Sequence, residues 1–377
     1  MKKINKFSDV IDPWAEFKNN TGVQESKKAT LNSYRKAQIF SRFPRIEFRE
    51  KKKIVVMGTG IYKSLNPELR KTAHVVISAK DTIRDFSLIF KLKRSFTFDI
   101  SIYARIYNQI LKKIHDDSFQ YIKNSLIQIN PKVIILKSTI DPINRVWAFW
   151  ANILNIKVVC LQHGIFSSKS DPRILESDIV NFYIVSGSKQ SDMVSSVIPS
   201  YKHINKYEQE YFSTNFVNKK QLSICFIGTD HERYSSAGIK NKEKVLNIYI
   251  EVINFLKINV GRNYKFYYKM HPSETKKNNK ILPLVKTIKT SDFDEIDIFF
   301  GVASSLMLKL SSLHKCAIQL RSKTLILDNY EELGYCGSID IEEIKNSGLD
   351  TILNKNRVFP CVKEKDLSQI LLSENLV

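Results

Sequence analysis

Glycine and proline are scarce, with 12 and 10 in 377 residues. That excludes collagen-like and low-complexity chains. Cysteine is scarcer still. Cys160, Cys225, Cys316, Cys336 and Cys361 are widely separated and form no CxxC pair, so a disulfide framework is not expected, and Cys160 and Cys225, in apolar strand-like runs, read as reduced core residues of a cytosolic protein. Acidic residues are outnumbered, 38 against 59 Lys and Arg, for a net charge of +21. Long apolar runs are missing as well. The most apolar segment, Val146 to Leu161, is broken by Asn152, Asn155 and Lys157, too short and too polar to cross a bilayer. Met1-Lys2-Lys3-Ile4-Asn5-Lys6 carries charge but no apolar stretch behind it, which is not the pattern of a secretion signal. GxSxG, Walker A and HExxH motifs are absent, and no Cys/His cluster appears, so an α/β-hydrolase, a P-loop enzyme and a dedicated metal site are not expected.

What is present is a core. Hydrophobic residues make up 43% of the chain, with 22 Phe and 16 Tyr. The length suits two domains. The positive charge suits a phosphorylated substrate, an anionic membrane or nucleic acid, or simply solvates the surface. Only Lys51-Lys52-Lys53 and their neighbours form a dense basic run.

Short apolar runs alternate with helical spacing. Ile54-Val55-Val56-Met57-Gly58-Thr59-Gly60 reads as a first buried strand ending in glycine, with part of a GxGxxG fingerprint and Lys63 where its third Gly would stand. His74 to Ser78 is a further strand, and Ile102 to Ile129 has helical spacing. Pro131 to Leu136, the helix start at Asp141-Pro142, and Val158 to Leu161 make a βαβ unit. Its strand ends would bring Ser138, Thr139 and Asp141 near Gln162 and His163. Asn181 to Gly187 adds another strand. The stretch from Ser195 to Lys220 is polar and irregular, and then the pattern restarts. Leu222 to Thr229 mirrors the strand at Ile54, Asn241 to Ile258 is an amphipathic helix, and Tyr264 to Pro272, Ile296 to Gly301 and Ala317 to Leu320 are strands. The expected fold is therefore α/β, with two Rossmann-like parallel-sheet domains. The divisions are an extension over 1–50, a first domain over 51–205 and a second over 206–377.

Ligands of open α/β sheets bind at the carboxyl ends of the strands. Three polar elements stand there. Gln162-His163-Gly164 ends a first-domain strand, where Gly164 lets a ligand approach and His163 can serve as base or donor. Lys269-Met270-His271-Pro272-Ser273-Glu274 ends a second-domain strand. Pro272 fixes the backbone after His271, and alternation puts Lys269 and His271 on one side for a shared anion. Ser273-Glu274 equally reads as a helix N-cap. Gly301-Val302-Ala303-Ser304-Ser305 opens a helix whose free N–H groups suit phosphate, or which Ser304 simply caps. Gly58, Gly228 and Thr229 line the same rims. Asp141 can act as base or merely cap its helix, with Arg145 as a surface residue, and Asp230 holds a similar position. His231 and His314 read as isolated surface residues. Asp292-Phe293-Asp294 has the form of a DxD but precedes its strand, so a solvated acidic loop is expected.

Taken in order, Gln162-His163-Gly164, Lys269-Met270-His271-Pro272-Ser273-Glu274 and Ala303-Ser304-Ser305 resemble GT-B glycosyltransferases that build bacterial surface polysaccharides. The His-Pro and Ser-Ser elements are similar to those of bacterial sialyltransferases, polysialyltransferases and Kdo transferases, which use CMP-activated sugars. The His-Gly element is also similar to that of CDP-glycerol glycerophosphotransferases. The resemblance spans Ile54 to Leu333. It implies that His271, Ser304 and Ser305 bind the donor phosphate, and that His163 takes the acceptor proton. Ile165 stands where the glycerophosphotransferase pattern has Thr, and the acidic pair with glycine of the sialyltransferases is absent, leaving Asp141 as a substitute by position. The implied function is transfer of a sialic acid or Kdo type sugar from a CMP donor to a capsule or lipopolysaccharide glycan, or alternatively transfer of a polyol phosphate from CDP-glycerol. The donor is a co-substrate, and neither a cofactor nor a metal is expected. The implied partners are the nucleotide sugar and a glycan or glycolipid acceptor, not nucleic acid. The expected place is the cytoplasm, with the basic surface suited to peripheral contact with the anionic inner membrane. A non-enzymatic alternative is a basic protein binding anionic glycan or nucleic acid. The interleaved aromatic and basic residues over 34–53 allow it, but such a protein has no need of polar elements at separate strand ends.

Overall fold

The computed structural model describes residues 47–48, 51–77, 96–98, 118–136, 142–162, 180–197, 202–213, 216, 219–229, 242–258, 263–271, 274, 279–325, 328–354 and 358–377. The chain forms two compact units, Met1–Lys206 with Lys365–Val377, and Tyr207–Glu364. The return of Lys365–Val377 to the first unit departs from the expected grouping of 206–377 as one domain. Of the extension over 1–50, all but Glu47–Phe48 lies outside the described residues.

The first unit is an eight-stranded sheet. Its strands are β1 (Glu47–Phe48), β2 (Ile54–Met57), β3 (Ala73–Ile77), β4 (Phe96–Phe98), β5 (Val133–Leu136), β6 (Lys157–Leu161), β7 (Phe182–Val185) and β8 (Lys202–Asn205). They lie in the order β1-β4-β3-β2-β5-β6-β7-β8. All neighbours are parallel except β1 and β4. The unbroken Val/Ile runs have this cause: Ile54 to Met57 and Val133 to Leu136 are buried at every position, as parallel strands covered on both faces must be. One face carries Val55, Met57, Ile134 and Leu136 against Trp147 and Trp150 of the helix Pro142–Ile153 and Ile122 and Leu126 of the helix Ser118–Ile129. The other carries Ile54, Val56, Val75 and Ile77 against Ile61, Leu65 and the returning Leu367, Ile370 and Leu371.

That return has local causes. The Asp366 carboxylate accepts from the N–H groups of Ser368 and Gln369, which starts the helix Leu367–Ser373. The Ser368 hydroxyl then accepts from Asn66 N–H at 2.7 Å. Of the helix expected over 102–129, the part before Ser118 lies outside the described residues. Its end is marked by Asn130, in the left-handed conformation at φ 51°, a role Asn shares with Gly.

The second unit holds a six-stranded parallel sheet. After β9 (Tyr207–Ser213) come β10 (Gln221–Ile227), β11 (Asn263–Lys269), β12 (Lys286–Thr287), β13 (Ile298–Gly301), β14 (Cys316–Arg321) and β15 (Gly337–Asp340), then β16 (Val358–Glu364). The sheet order is β12-β11-β10-β13-β14-β15. Leu222, Ile224 and Phe226 pack on Val245, Tyr249, Val252 and Leu256 of the helix Lys242–Ile258. The remaining two strands, β9 and β16, pair antiparallel as a separate ribbon. The region Ser195–Lys220, expected to be irregular, thus contains the end of the helix Ser188–Val197, β8 and β9. β9 reads as irregular because Tyr207-Glu208-Gln209-Glu210-Tyr211 carries little apolar signal, and its partner lies far away in sequence.

Among the described residues no helix is long and apolar enough to cross a membrane. All five cysteines are buried thiols.

Candidate functional site at the carboxyl ends of the strands

Strand order decides where each sheet can hold a ligand. In the second unit, β10 lies between β11 and β13. The chain leaves β10 first to one side and later to the other, so the order reverses there, at the kind of place where open α/β sheets hold ligands. Gly228 and Thr229 occupy that point. Gly228 N–H continues the ladder by donating to Lys269 O at 2.9 Å, and Thr229 is buried.

Tyr268, His271 and Glu274 close over Gly228. Glu274 N–H donates to His271 O at 2.9 Å. The Glu274 carboxylate accepts from His271 N–H at 2.7 Å and from the Tyr268 hydroxyl at 2.8 Å. A Cβ on residue 228 would stand 2.3 Å from Glu274 Oε2, 2.8 Å from His271 N and 2.9 Å from Tyr268 Oη. Glycine is therefore required by close approach rather than by its φ. Burial pushes the Tyr268 phenol well above its ordinary range, and the Glu274 charge beside it adds to the effect. The phenol stays a proton donor to the carboxylate.

Glu274 is thus a brace for His271; residues 275–278, where a helix capped by Ser273-Glu274 would run, lie outside the described residues. β11 ends at Lys269, so strand alternation no longer governs the relation of Lys269 to His271. The Lys269 ammonium donates to Met270 O at 3.0 Å. Tyr249 braces the neighbouring strand, donating from its buried hydroxyl to Ile227 O at 2.7 Å.

Beyond β13 the chain enters the helix Ser305–Ser312, with Ser304 as N-cap. The Ser304 hydroxyl oxygen accepts from Leu306 N–H at 3.3 Å. Gly301 lets this helix lie close: a Cβ there would meet Met307 Sδ at 2.6 Å. The turn between strand and helix is held from beneath by Gln319, which is fully buried. Its amide NH2 donates to Val302 O at 3.0 Å and Asp328 O at 2.9 Å. Its oxygen accepts from Tyr330 N–H at 2.9 Å and the Ser338 hydroxyl at 3.0 Å. Gln319 fills its hydrogen-bonding capacity inside the fold. Sequence reasoning took it as one more strand residue, although a lone Gln in Ala317-Ile318-Gln319-Leu320 is a signal of a buried polar anchor.

In the first unit the same reversal lies at β2, between β3 and β5. Gly58 stands there at φ 101°, its N–H donating to Val76 O at 2.9 Å, and leads into the short helix Thr59–Ser64. Gln162 follows β6. Its side-chain oxygen accepts from Ser186 N–H at 2.7 Å and its NH2 donates to Gln190. This amide ties the end of β6 to β7 and to the helix Ser188–Val197. Asp141, His163, Gly164, Pro272, Ser273, Asp230 and His231 lie outside the described residues, as does the side chain of Ser305.

Three expectations change or gain detail. Arg145 is buried at 1% exposure and is not a surface residue. Its place on the helix Pro142–Ile153 puts it among Val146, Trp147 and Phe149, whose burial carries it inward. The acidic segment at Asp292 has structural duties at the amino end of β13. Asp292 accepts from Lys289 N–H and the Ser291 hydroxyl, which lower its pKa. Asp294 pairs with Lys315 at 2.7 Å, and Asp297 pairs with Lys219 and accepts from Ser223 N–H. His314, expected to be isolated, lies beside Glu210 and Cys361.

No family model matches the chain, and neither does any curated protein. Solved structures do. MnaA of S. aureus in a co-structure with UDP is 12% identical with a TM-score of 0.51, covering 86% of this chain and 98% of that one. The fold is α/β of the GT-B type. A UDP-N-acetylglucosamine 2-epimerase is 10% identical with a TM-score of 0.49, covering 87% of this chain and 98% of that one. MurG of Acinetobacter baumannii is 9% identical with a TM-score of 0.45, over 80% and 91%. Within the GT-B-type fold, Gly58, Gly228, His271 and Ser304 all stand at or just past strand carboxyl ends of their own units.

Proposed function

We propose that this chain is a nucleotide-sugar-dependent glycosyltransferase whose donor site is the carboxyl end of the second sheet. One observation carries the reading. The strand-order reversal beside β10 gathers Gly228, Thr229 and the Glu274-braced His271 at the rim where the helix after Ser304 also begins. A departing nucleotide phosphate gains negative charge as the sugar leaves. Preorganised donors and a helix N-terminus stabilise that charge without reorganising. The His271 side chain and the positive end of the helix that Ser304 caps are the groups proposed for this role. Lys269 adds a cation on the same loop.

The acceptor hydroxyl needs a base. His163 is the proposed base, with Asp141 as the alternative or as the group that orients it. For the donor we propose a pyrimidine nucleotide. UDP is the ligand of the S. aureus fold neighbour. The resemblance of the His271-Pro272 and Ser304-Ser305 elements narrows the choice to a CMP-activated sugar of the sialic acid or Kdo type, delivered to a bacterial surface glycan. Gln162-His163-Gly164 favours a second reading, polyol-phosphate transfer from CDP-glycerol.

A thermal-shift panel separates these readings, since a ligand of the native state raises Tm. CMP should raise it most, and a stronger rise with CDP or UDP would move the donor accordingly. His271→Ala should cut the nucleotide response at least about tenfold in affinity, the scale of one lost charge-assisted contact, with the unliganded Tm nearly unchanged. No response to any nucleotide would sink the transferase reading and favour the basic binding protein.

A further inference from the structure

Glu210, His314 and Cys361 come from three separate parts of the chain. Each offers one donor atom, and the three atoms lie within 4.8 Å of one another. The fold brings them together for clear reasons. In the β9–β16 ribbon Cys361 is the direct cross-strand partner of Glu210, and Phe359 that of Phe212. Directly opposed residues share a face. Phe212 and Phe359 pack as a tilted pair, ring centroids 6.1 Å apart, where this face joins the core. Two residues further along, Cys361 and Glu210 take their places, and burial falls off from Cys361 through Glu210 to the exposed His314.

His314 arrives from the carboxyl end of the helix Ser305–Ser312. Lys315 N–H reaches back to Leu310 O, and His314 N–H to Ser311 O, both at 3.0 Å. His314 itself is left-handed at φ 53°, at the position that helix ends reserve mostly for Gly. A histidine there holds its ring in a place that a glycine would have left empty, at a cost in backbone strain. Its Nε2 is 4.0 Å from Glu210 Oε2, while the other carboxylate oxygen faces Lys363 Nζ at 3.9 Å.

We propose that Glu210, His314 and Cys361 form a binding site for a divalent transition-metal cation of the Zn²⁺ class. Thiolate, imidazole and carboxylate together are the donor set that zinc accepts, and a thiolate selects against Mg²⁺ and Ca²⁺. In a tetrahedral shell with bonds of about 2.0–2.3 Å the donors stand about 3.5 Å apart. From separations of up to 4.8 Å, the three must close by at most about 1.3 Å to reach that spacing. Binding forms one metal–sulfur, one metal–nitrogen and one metal–oxygen bond, and releases the Cys361 thiol proton to solvent. The thiolate and carboxylate then balance the two positive charges, and the solvent side at His314 leaves a fourth position for water. The cation would clamp the ribbon to the carboxyl end of the helix that opens at Ser304. Sequence reasoning saw no cluster because the three residues are joined only by strand pairing and a helix end.

The test uses the full chain stripped with chelator and titrated with Co²⁺. One equivalent should produce the near-ultraviolet absorption of a thiolate–Co²⁺ bond, and Zn²⁺ should abolish it by displacement. Cys361→Ser should lose the band. His314→Gly keeps the left-handed turn and should fold with an unchanged or higher Tm in the absence of metal. It should weaken Co²⁺ binding by more than the roughly 10–100-fold that outer-layer changes cost and lose the Tm rise that Zn²⁺ gives the parent. The proposal is overturned if the parent shows no thiolate band, if the band survives Cys361→Ser, or if His314→Gly keeps the full metal response.

Discussion

Glu274 decides the geometry around His271. Its two oxygens take the His271 N–H and the Tyr268 hydroxyl, and one of them lies over the α-carbon of Gly228. The contribution of charge can be separated from that of shape. Glu274→Gln can still accept from His271 N–H while its NH2 donates to the Tyr268 oxygen, so the fold should survive with Tm nearly unchanged. Glu274→Ala removes both acceptors and should cost about 1–3 kcal/mol. Gly228→Ala forces a Cβ against backbone at His271 N and should cost a similar amount, about 1–3 kcal/mol. Denaturant melts read the stabilities, and the nucleotide-induced Tm shift reads the site. Glu274→Ala and Gly228→Ala should both lose that shift, while Glu274→Gln should keep most of it. If Gly228→Ala binds nucleotide like the parent, the close-approach account of this glycine fails. The sequence shows His271 and Gly228 as strand-end residues, but not that the carboxylate between them belongs to Glu274. That pairing depends on a turn after β11, which hydrophobic periodicity does not encode.

At the scale of elements, the loops beyond β13 and β14 are held by Gln319. Replacing it with Leu keeps the volume but strands the Val302 and Asp328 carbonyls and the Tyr330 N–H inside the protein. Each buried group left without its partner costs about 1–3 kcal/mol, and losses around one amide do not add fully. Gln319→Leu should therefore destabilise the chain by about 2–4 kcal/mol, visible as a lower denaturant midpoint. A change below 0.5 kcal/mol, the scale of an ordinary surface substitution, would show that water replaces the amide. The strands of both sheets are legible because Val/Ile runs such as Ile54 to Met57 have no other stable place than between two covered faces. The ribbon of β9 and β16 is not. Tyr207 to Ser213 carries mixed polarity, and its register with Val358 to Glu364 is set by pairing across the whole unit.

For the whole molecule, burial governs the response to alkali. Desolvation pushes the Cys225 thiol from its ordinary 9.0 up to about 12. Desolvation, with the Glu364 carboxylate adding to it, pushes the Tyr207 phenol from 10.0 up to about 12. Both folded values are raised, so the folded state holds these protons more tightly than the unfolded chain. The stability they contribute is fully present below the unfolded values and is lost as pH rises from 9.0 toward about 12. Tm should fall across that window, and Cys225→Val should flatten the fall even if it shifts the starting Tm. An equal slope in the variant would remove Cys225 from the account. The variant comparison carries the test rather than the parent curve, because it isolates the one thiol.

The sequence by itself determined the repeated βαβ pattern, the two-unit α/β class and the polar residues at strand ends. These follow from local rules: apolar runs must be covered, helices need caps, and glycine permits close approach. Only the tertiary structure decided that strand order reverses at β2 and β10, that Glu274 braces His271, that Gln319 ties three segments together, that Arg145 is buried, that Lys365–Val377 returns to the first sheet and that Glu210, His314 and Cys361 meet. The Glu274 brace depends on a local turn, set by hydrogen bonds between residues three apart. The other five depend on which distant segments pack or pair together, and the free energy that selects those partners is summed over a whole core rather than written into any one stretch of chain.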